Sequence, residues 1–244
     1  TPEDMLKRFE ATITKVNKLI KQFAPEEFKK SWQVSVLDGT VAFGSAYHNW
    51  GITIPYMKKS GVSMTDIFQY CNDEKQKELA LKAPVHEVLL DMAVTKLPGP
   101  VEAQPYRIPN IWNGDIDSDI GQAMIKCDPE AELAMMITKI WMDPHAGEVA
   151  VGRVYSGSIK HGESLWAIGA GKAERVQQVS MMVGGDRIQV PEVSAGNIAA
   201  LTGVRSAAAG VTISRDPEAT PFEAIRHYSE PVVTVAVEPK SMKD

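Results

Sequence analysis

Residues 152–162 have the sequence Gly-Arg-Val-Tyr-Ser-Gly-Ser-Ile-Lys-His-Gly. The glycines at 152, 157 and 162 bracket short apolar runs, as glycines do at the tight turns and corners of a small β-barrel. Short apolar runs separated by turn signals recur on both sides of this stretch. They are residues 133–141, 149–155, 164–168, 175–182, 197–201 and 210–213. Many short strands at this spacing favour a closed or nearly closed β-barrel.

The sequence before the barrel pattern mixes helices with strands. Thr1-Pro2-Glu3-Asp4 is typical of a helix N-terminus. Apolar residues at helical spacing follow and predict an amphipathic helix with one buried stripe, formed by Met5, Phe9, Ile13, Val16, Ile20 and Phe23. Residues 32–43 alternate as two strands around the turn Asp38-Gly39. Two more helices are predicted, one over about 63–81 and one from Pro84.

The segment Leu97-Pro98-Gly99-Pro100 breaks the last of these helices and marks the best domain boundary. Residues 231–237 form one further strand-like run, and no partner strand follows it. Both ends of the sequence are therefore expected to be cut from a longer chain.

Composition limits the functions that the chain can have. The formal net charge is -5, so any contact with RNA must come from a local basic patch. Cys71 and Cys127 fit neither a disulfide framework nor a metal cluster, and the five histidines show no metal-ligand spacing. The sequence has no apolar run of membrane-spanning length and does not start like a signal peptide, so a cytoplasmic location is expected.

Phosphate-binding and catalytic motifs are missing from the sequence. Gly171-Lys172 lacks the upstream glycine of a Walker A motif. Asn17-Lys18-Leu19-Ile20 begins like a guanine-specificity motif but has isoleucine where aspartate is required. No Asp-x-x-Gly stretch is present, and no Ser/His/Asp set is evident, although sequence order alone does not exclude a triad. We therefore assign no catalytic and no metal-binding residue.

Two motifs of the barrel region resemble the second domain shared by translational GTPases. One is the stretch 152–162, and the other is Ala-Gly-Asn-Ile-Ala-Ala-Leu-Thr-Gly at 195–203. Further segments are similar to the elongation factor G / elongation factor 2 family. The family's linker into the barrel is resembled by Leu97-Pro98-Gly99-Pro100-Val101-Glu102-Ala103-Gln104-Pro105-Tyr106-Arg107. The first barrel strands of the family are resembled by residues 126–129 and 135–139. The opening strand of its third domain is resembled by residues 229–238. The short region between Gly51 and Pro84 favours the archaeal type of this family.

The resemblance covers essentially the whole chain and implies a fold. The fold class is multidomain α+β, in which the C-terminal part of an α/β GTPase domain is followed by a translation-factor-type antiparallel β-barrel. The implied domains are the GTPase part with a short helical insertion over 1–97, the barrel over 98–225, and the truncated start of the third domain over 226–244.

The resemblance also implies part of a guanine site. Residues 41–46, Val-Ala-Phe-Gly-Ser-Ala, resemble the fifth guanine-nucleotide motif of the family, in which backbone amides approach the base. Gly44, Ser45 and Ala46 are therefore the candidate guanine-binding residues, and small side chains suit such a close approach. The phosphate loop, the switch regions and the Asn-Lys-x-Asp motif are missing from this sequence, so the fragment is expected neither to bind GTP usefully nor to hydrolyse it. None of the five histidines matches the modified histidine of the family.

For the intact protein the resemblance implies GTP or GDP and magnesium as cofactors, and GTP-dependent ribosomal translocation of tRNA and mRNA as the function. The barrel would dock on small-subunit ribosomal RNA. Candidate RNA-binding residues, grouped in one stretch of an acidic chain, are Arg153, Lys160, His161, Lys172, Arg175 and Arg187.

Three alternatives stay open at this point. The first is a piece of a neighbouring translational GTPase, such as initiation factor 5B or a release-type factor. The second is a stand-alone RNA- or protein-binding barrel unrelated to GTP. The third is an enzyme with a cryptic site in its mixed α/β part. The linker and the third-domain strand argue against the first, and the unpaired last strand argues against the second. Exposed edges of an incomplete sheet are expected to favour association of the isolated chain.

Overall fold

The structure is a computed structural model that describes residues 2–224 and 232–238. The chain divides after Leu97 into two compact units, Thr1–Leu97 and Pro98–Asp244. The strand pairs assigned in both units are antiparallel, and helices and strands lie in successive stretches of the chain. The fold class is therefore α+β.

The first unit is built mainly from helices. These are α1 (Pro2–Phe23), α2 (Ile54–Ser60), α3 (Met64–Asn72), α4 (Gln76–Lys82) and α5 (Val85–Lys96). A short 3-10 helix, Glu26–Phe28, follows α1, and strands β1 (Phe43–Ser45) and β2 (Trp50–Ile52) form a hairpin. Its buried core contains Ile52 from the hairpin and Leu79 and Val88 from the helices. Across the part of the chain that is described, no helix has both the length and the apolar character needed to span a membrane.

The helices predicted at the start of the chain and from Pro84 are confirmed as α1 and α5. The single helix predicted over 63–81 is instead divided into α3 and α4. A capping box starts α3, because the Ser63 hydroxyl accepts the N–H of Asp66 and the Asp66 carboxylate accepts the N–H of Ser63. Glu74 has a φ of 59°, and this left-handed residue separates the two helices.

The strand predicted over residues 32–36 is wrong, since these residues form turns and irregular structure. The Asn17 side chain accepts the N–H of Val34 at 2.8 Å and donates to its carbonyl at 2.9 Å. The Thr40 hydroxyl accepts the N–H of Ser35 at 2.7 Å. Side chains thus occupy the backbone groups that a second strand would need, and the hairpin forms further along the chain.

The apolar stripe of α1 is largely exposed, which contradicts its predicted burial. Phe23 is 72% exposed and Phe9 and Val16 are each 38% exposed, whereas Ile13 and Ile20 are half-buried. The ring of Phe9 lies 4.9 Å from that of Phe43. Periodicity predicts the helix correctly, but burial also requires a packing partner, which the sequence pattern does not identify.

The second unit begins with two helices, α6 (Pro100–Ile111) and α7 (Asp119–Lys126). The segment interpreted as a linker over 97–107 is therefore largely helical, and residues 126–129, interpreted as the start of a strand, are the end of α7 and the turn after it. Proline suits the first turn of a helix, and the Glu102 carboxylate accepts the N–H of Gly99 at 3.2 Å.

The strands of the second unit follow these helices. They are β3 (Ala134–Asp143), β4 (Gly147–Ser156), β5 (Ser158–Lys160), β6 (Ser164–Ala167), β7 (Ala173–Arg175), β8 (Gln178–Val183), β9 (Asp186–Gln189), β10 (Glu192–Ser194), β11 (Ile198–Thr202) and β12 (Thr212–Ser214). Strands β5 and β10 pair with each other, and the others form one eight-stranded sheet in the order β7-β6-β12-β3-β4-β11-β8-β9. The six apolar runs predicted as strands are confirmed.

The connection between β7 and β8 shows that the sheet is curled. These two strands are six positions apart in the sheet, which corresponds to about 29 Å in a flat sheet at ~4.8 Å per strand. However, only Val176 and Gln177 separate them in the chain, and three residue steps span at most about 11 Å. The N–H of Gln177 also donates to the carbonyl of Thr202 in β11 at 2.8 Å. The sheet therefore curls into a barrel.

The barrel encloses one apolar core, with contributions from all around the sheet. Its fully buried members include Met135, Val154, Leu165, Val179 and Ile213. Strand β4 alternates between this core and the outer face of the sheet, because successive side chains of a strand point to opposite faces.

Helices α6 and α7 cover part of the outer face of the sheet. Ile108 of α6, Met124 of α7 and Ala134 of β3 are buried there in a second cluster. Gln104 of α6 is 2% exposed, and its side-chain amide donates to the carbonyls of Met124 and Tyr155. Pro105 and Pro109 lie inside α6 and remove hydrogen bonds from it, so the helix depends on this packing.

The strand predicted over residues 231–237 is not formed by the residues that are described in this region. Residues 232–238 have no strand assignment, and Val232, Val233, Val235 and Val237 are exposed. The remainder of the predicted third domain, residues 226–231 and 239–244, lies outside the described residues.

Gly152 provides a test of the barrel packing. A Cβ atom at this position would lie 2.2 Å from the Met136 carbonyl oxygen and 2.9 Å from the Ile137 Cα of the neighbouring strand. We expect Gly152→Ala to lower the free energy of unfolding by about 3 kcal/mol, because backbone must move to make room. Urea denaturation measures this change. Gly185→Ala is the matched control, because its Cβ meets no atom within 4 Å, and equal stability of the two variants would contradict the packing described.

Candidate functional site

The candidate guanine loop lies at the turn of the β1–β2 hairpin. Gly44 and Ser45 belong to β1 and Ala46 begins the turn. Gly44 and Ala46 are exposed and Ser45 is half-buried, with its hydroxyl accepting the N–H of His48 at 3.3 Å. Two of the three candidate residues are thus exposed to solvent.

The sequence of the hairpin explains its shape. A Cβ atom at Gly44 would lie 2.5 Å from the carbonyl oxygen of Trp50 and 2.9 Å from the Cα of Gly51, so the close pairing of β1 and β2 needs glycine at position 44. The Trp50 indole N–H donates to the Gln76 side chain at 3.1 Å. The N–H of Gly51 donates to Ala83 at 3.0 Å, which fixes the hairpin to the end of α4.

The six basic candidates do not form one patch. Lys160 and His161 line a shallow depression together with residues 189–192. Arg175 belongs with them, because its guanidinium lies 3.6 Å from the position of a Cβ built on Gly162, and the N–H of Gly162 donates to Val176. We call Lys160, His161 and Arg175 the basic end of the barrel.

The charge balance at the basic end is set by two ion pairs. Lys160 lies 3.7 Å from Glu192, and both side chains are exposed, so this pair binds weakly. Glu163, the nearby acid, is paired with Arg215 at 3.2 Å, and Arg215 also donates to the carbonyl of Ser158 at 2.7 Å. The basic end therefore keeps a positive character within an acidic chain.

Lys172 lies at the opposite end of the β6–β7 hairpin from Arg175, since Ser164 pairs with Arg175 and Trp166 with Ala173. Its ammonium is 3.6 Å from Glu174, whose buried carboxylate also accepts the N–H and hydroxyl of Ser206. Lys172 is thus an exposed partner of a carboxylate that fixes the 203–210 loop.

Arg187 has a structural environment. Its side chain is 18% exposed, donates to Gln178 at 2.9 Å, and has its Nε 3.6 Å from the Asp143 carboxylate. Asp143 also accepts the N–H groups of Ala146 and His145, which lower its pKa together with Arg187. The pair connects the β3–β4 hairpin with the β8–β9 hairpin.

Arg153 lies on the outer face of β4. Its charge acts on Cys127 and on Tyr155, and the burial of each of these groups raises its pKa while Arg153 lowers it. Arg107 of α6 acts on Tyr155 in the same direction. The sequence does not indicate Arg107 as a candidate, because it lies 46 residues before Arg153 and only the packing of α6 on the sheet brings its charge to bear on Tyr155.

Within residues 2–224 and 232–238, no group of three or more histidine, cysteine, aspartate or glutamate residues is arranged to hold a metal ion. The chemistry that this arrangement supports is recognition by backbone groups at the hairpin and by cationic side chains on the barrel.

Comparison with known proteins defines the class of the barrel. The family model for elongation factor G domain 2 matches residues 132–216, which begin just before β3 and end just after β12. The second unit therefore contains the β-barrel domain of a translation elongation factor.

Three curated relatives extend this match to the whole chain. Elongation factor 2 of Methanococcus maripaludis (strain C7) is 54% identical over 246 residues, that of Methanococcus aeolicus 55% over 249, and that of Thermococcus gammatolerans 54% over 243. Each alignment covers 100% of this chain and 34%, 34% and 33% of the respective relative. The chain belongs to the archaeal elongation factor 2 family, and it spans about a third of the length of these relatives.

The different environments of Arg187 and Arg175 predict different effects of mutation. Arg187→Ala leaves the Asp143 carboxylate and the Gln178 side chain without their cation, so we expect Tm to fall by about 5 °C. Arg175→Ala removes an exposed side chain and should change Tm by less than about 2 °C. Thermal denaturation followed by circular dichroism measures both, and similar shifts in the two variants would contradict the assignment of Arg187 as structural.

Proposed function

We propose that this chain serves as part of a translation elongation factor that promotes GTP-dependent translocation of tRNA and mRNA on the ribosome. The observation that carries the proposal is the identity of about 54% over the whole chain to proteins named elongation factor 2. The barrel match alone would also suit another translational GTPase. The similarity of residues 1–97 to the same relatives favours elongation factor 2, and it disfavours a stand-alone barrel.

In this proposal the first unit is the C-terminal part of a GTPase domain. The backbone of Gly44 to Ala46 contacts the guanine base, since Gly44 and Ala46 are exposed and the small side chains leave room for a flat ring. GTP or GDP and magnesium are the cofactors of the intact factor. The phosphate loop, the switch regions and the Asn-Lys-x-Asp motif would be supplied by other parts of that protein, so the chain has no GTPase activity by itself.

The barrel is proposed to dock on small-subunit ribosomal RNA, with tRNA and mRNA moved indirectly, in the cytoplasm. The basic end formed by Lys160, His161 and Arg175 is the best candidate contact. Its side chains are exposed, and the adjacent acid Glu163 is already neutralised by Arg215. Phosphate contacts by such cations supply most of the affinity in RNA binding. Arg187 is removed from the candidates because its side chain connects two hairpins.

Nucleotide binding by the chain tests the guanine loop. We expect GTP and guanosine to bind the Gly44–Ala46 loop equally weakly, with Kd on the order of 1 mM or weaker, because phosphate contacts, which normally dominate such sites, are missing. NMR chemical shifts of residues 43–47 during titration with each compound provide the measurement. Micromolar affinity for GTP, or a large advantage of GTP over guanosine at these residues, would refute the proposed incomplete site.

Ribosome binding tests the basic end. We expect the double variant Lys160→Gln/Arg175→Gln to lower the affinity of the chain for the small ribosomal subunit by about tenfold or more. The slope of log affinity against log salt should also become shallower by roughly one to two, because two cations no longer replace counterions. The matched control is Lys58→Gln/Lys77→Gln, which removes the same charge from exposed positions of the first unit. Equal losses in both variants, or binding that is insensitive to salt, would contradict the assignment.

A further inference from the structure

Two arginines, Arg153 and Arg107, act on Tyr155 at the outer face of the barrel. Arg153 and Tyr155 are two residues apart on β4 and therefore share one face of the sheet. Val154 between them is fully buried in the barrel core. The burial of Val154 thus fixes the backbone of β4 at this point. The side chains of Arg153 and Tyr155 start from this fixed backbone and lie on the face opposite the core.

Helix α6 brings Arg107 to the same place. The Gln104 side chain donates to the carbonyl of Tyr155 at 2.9 Å, which connects α6 to β4 at this residue. Arg107 follows Gln104 by three residues and lies on the same side of the helix. The charges of both Arg153 and Arg107 lower the pKa of Tyr155, opposing the larger effect of its burial. Tyr155 is itself held by the ring of Phe222, 4.8 Å away.

Within residues 2–224 and 232–238, no acid pairs with either arginine. Among the described residues, neither Arg107 nor Arg153 forms an ion pair or a side-chain hydrogen bond, in contrast to Arg187 and Arg215. No carboxylate contributes to the pKa of Tyr155 either. Two guanidinium groups whose charges both act on Tyr155, one from a packed helix and one from a core strand, provide several N–H donors and no acceptor. This is the donor set that binds the oxygens of a phosphate group.

We propose that Arg107 and Arg153 form a phosphate-binding site beside Tyr155 on the outer face of the barrel. The ligand is a phosphate group, either a phosphodiester of an RNA backbone or a free phosphate. The site stands on the packing of α6 against β4 and does not depend on the proposed ribosome docking. If its ligand is RNA, it adds a second docking point that is separate from the basic end.

The test titrates the chain with inorganic phosphate and, separately, with a short RNA hairpin, and follows the Tyr155 ring by NMR. Tyr155→Phe identifies the resonance. We expect each ligand that binds to shift the Tyr155 signal and to raise the pKa of Tyr155, since a bound anion disfavours the phenolate. An RNA that binds and is not displaced by millimolar phosphate identifies the phosphodiester as ligand, whereas a response to phosphate alone identifies a free phosphate.

Arg107→Gln and Arg153→Gln should each weaken this binding by roughly tenfold, the effect of losing one charge-assisted contact. Each should also raise the pKa of Tyr155 in the free chain, because a nearby cation is removed. Arg205→Gln, an exposed arginine of the same unit, is the matched control and should change neither quantity.

The proposal is overturned if neither phosphate nor RNA moves the Tyr155 signal, or if both arginine variants bind as the unmodified chain does. The wild-type titration needs no variant, so a folding defect in one arginine variant cannot obscure the result. Failure of the proposed ribosome docking can be told apart from failure of this phosphate site. In that case RNA binding would be lost, while inorganic phosphate would still shift the Tyr155 signal.

Discussion

The short link through Val176 and Gln177 is the constraint on which the second unit depends. Because two residues must connect strands that a flat sheet would hold far apart, the sheet has to curl, and one set of alternating side chains becomes the core. The other set is left for helix packing or solvent. Gly152 allows the close approach of β3 and β4 within this sheet, since the Met136 carbonyl oxygen would lie 2.2 Å from a Cβ atom. The positions of the basic candidates on the barrel follow from this closure.

A glycine also permits close approach of two backbone segments in the first unit, at the β1–β2 hairpin. Gly44 lets β1 lie against Trp50 and Gly51, and the turn after it leaves the backbone of Ala46 exposed. An apolar or branched residue at position 44 would separate the strands, and the loop would lose its shape. The residue type that permits the hairpin is thus also the type that leaves room for a base. Structure and proposed recognition therefore depend on one glycine.

Much of the fold could be predicted from the sequence, because the signals are local. Strand runs punctuated by glycine predicted the barrel strands, and the helical periodicity of α1 and α5 was sufficient to place them. Two of the failures have the same physical cause, which is a partner distant in sequence. Asn17 takes the backbone groups of Val34, so the strand over 32–36 does not form. Helix α6 forms despite two interior prolines, because Gln104 and Ile108 are buried against the sheet.

The candidate site was predictable by residue type but not by arrangement. Six basic residues in one stretch suggest one patch, yet period-two alternation and hairpin turns distribute them over different faces of a closed barrel. What separates a structural from a binding arginine is its partner. Arg187 is held by Asp143 and Gln178, Arg215 neutralises Glu163, and Arg153 has no acid within the described chain. A cationic side chain that is not paired with an acid of the chain can bind an anionic ligand. In a chain of net charge -5, such cations are the positions at which an RNA phosphate would gain most from contact.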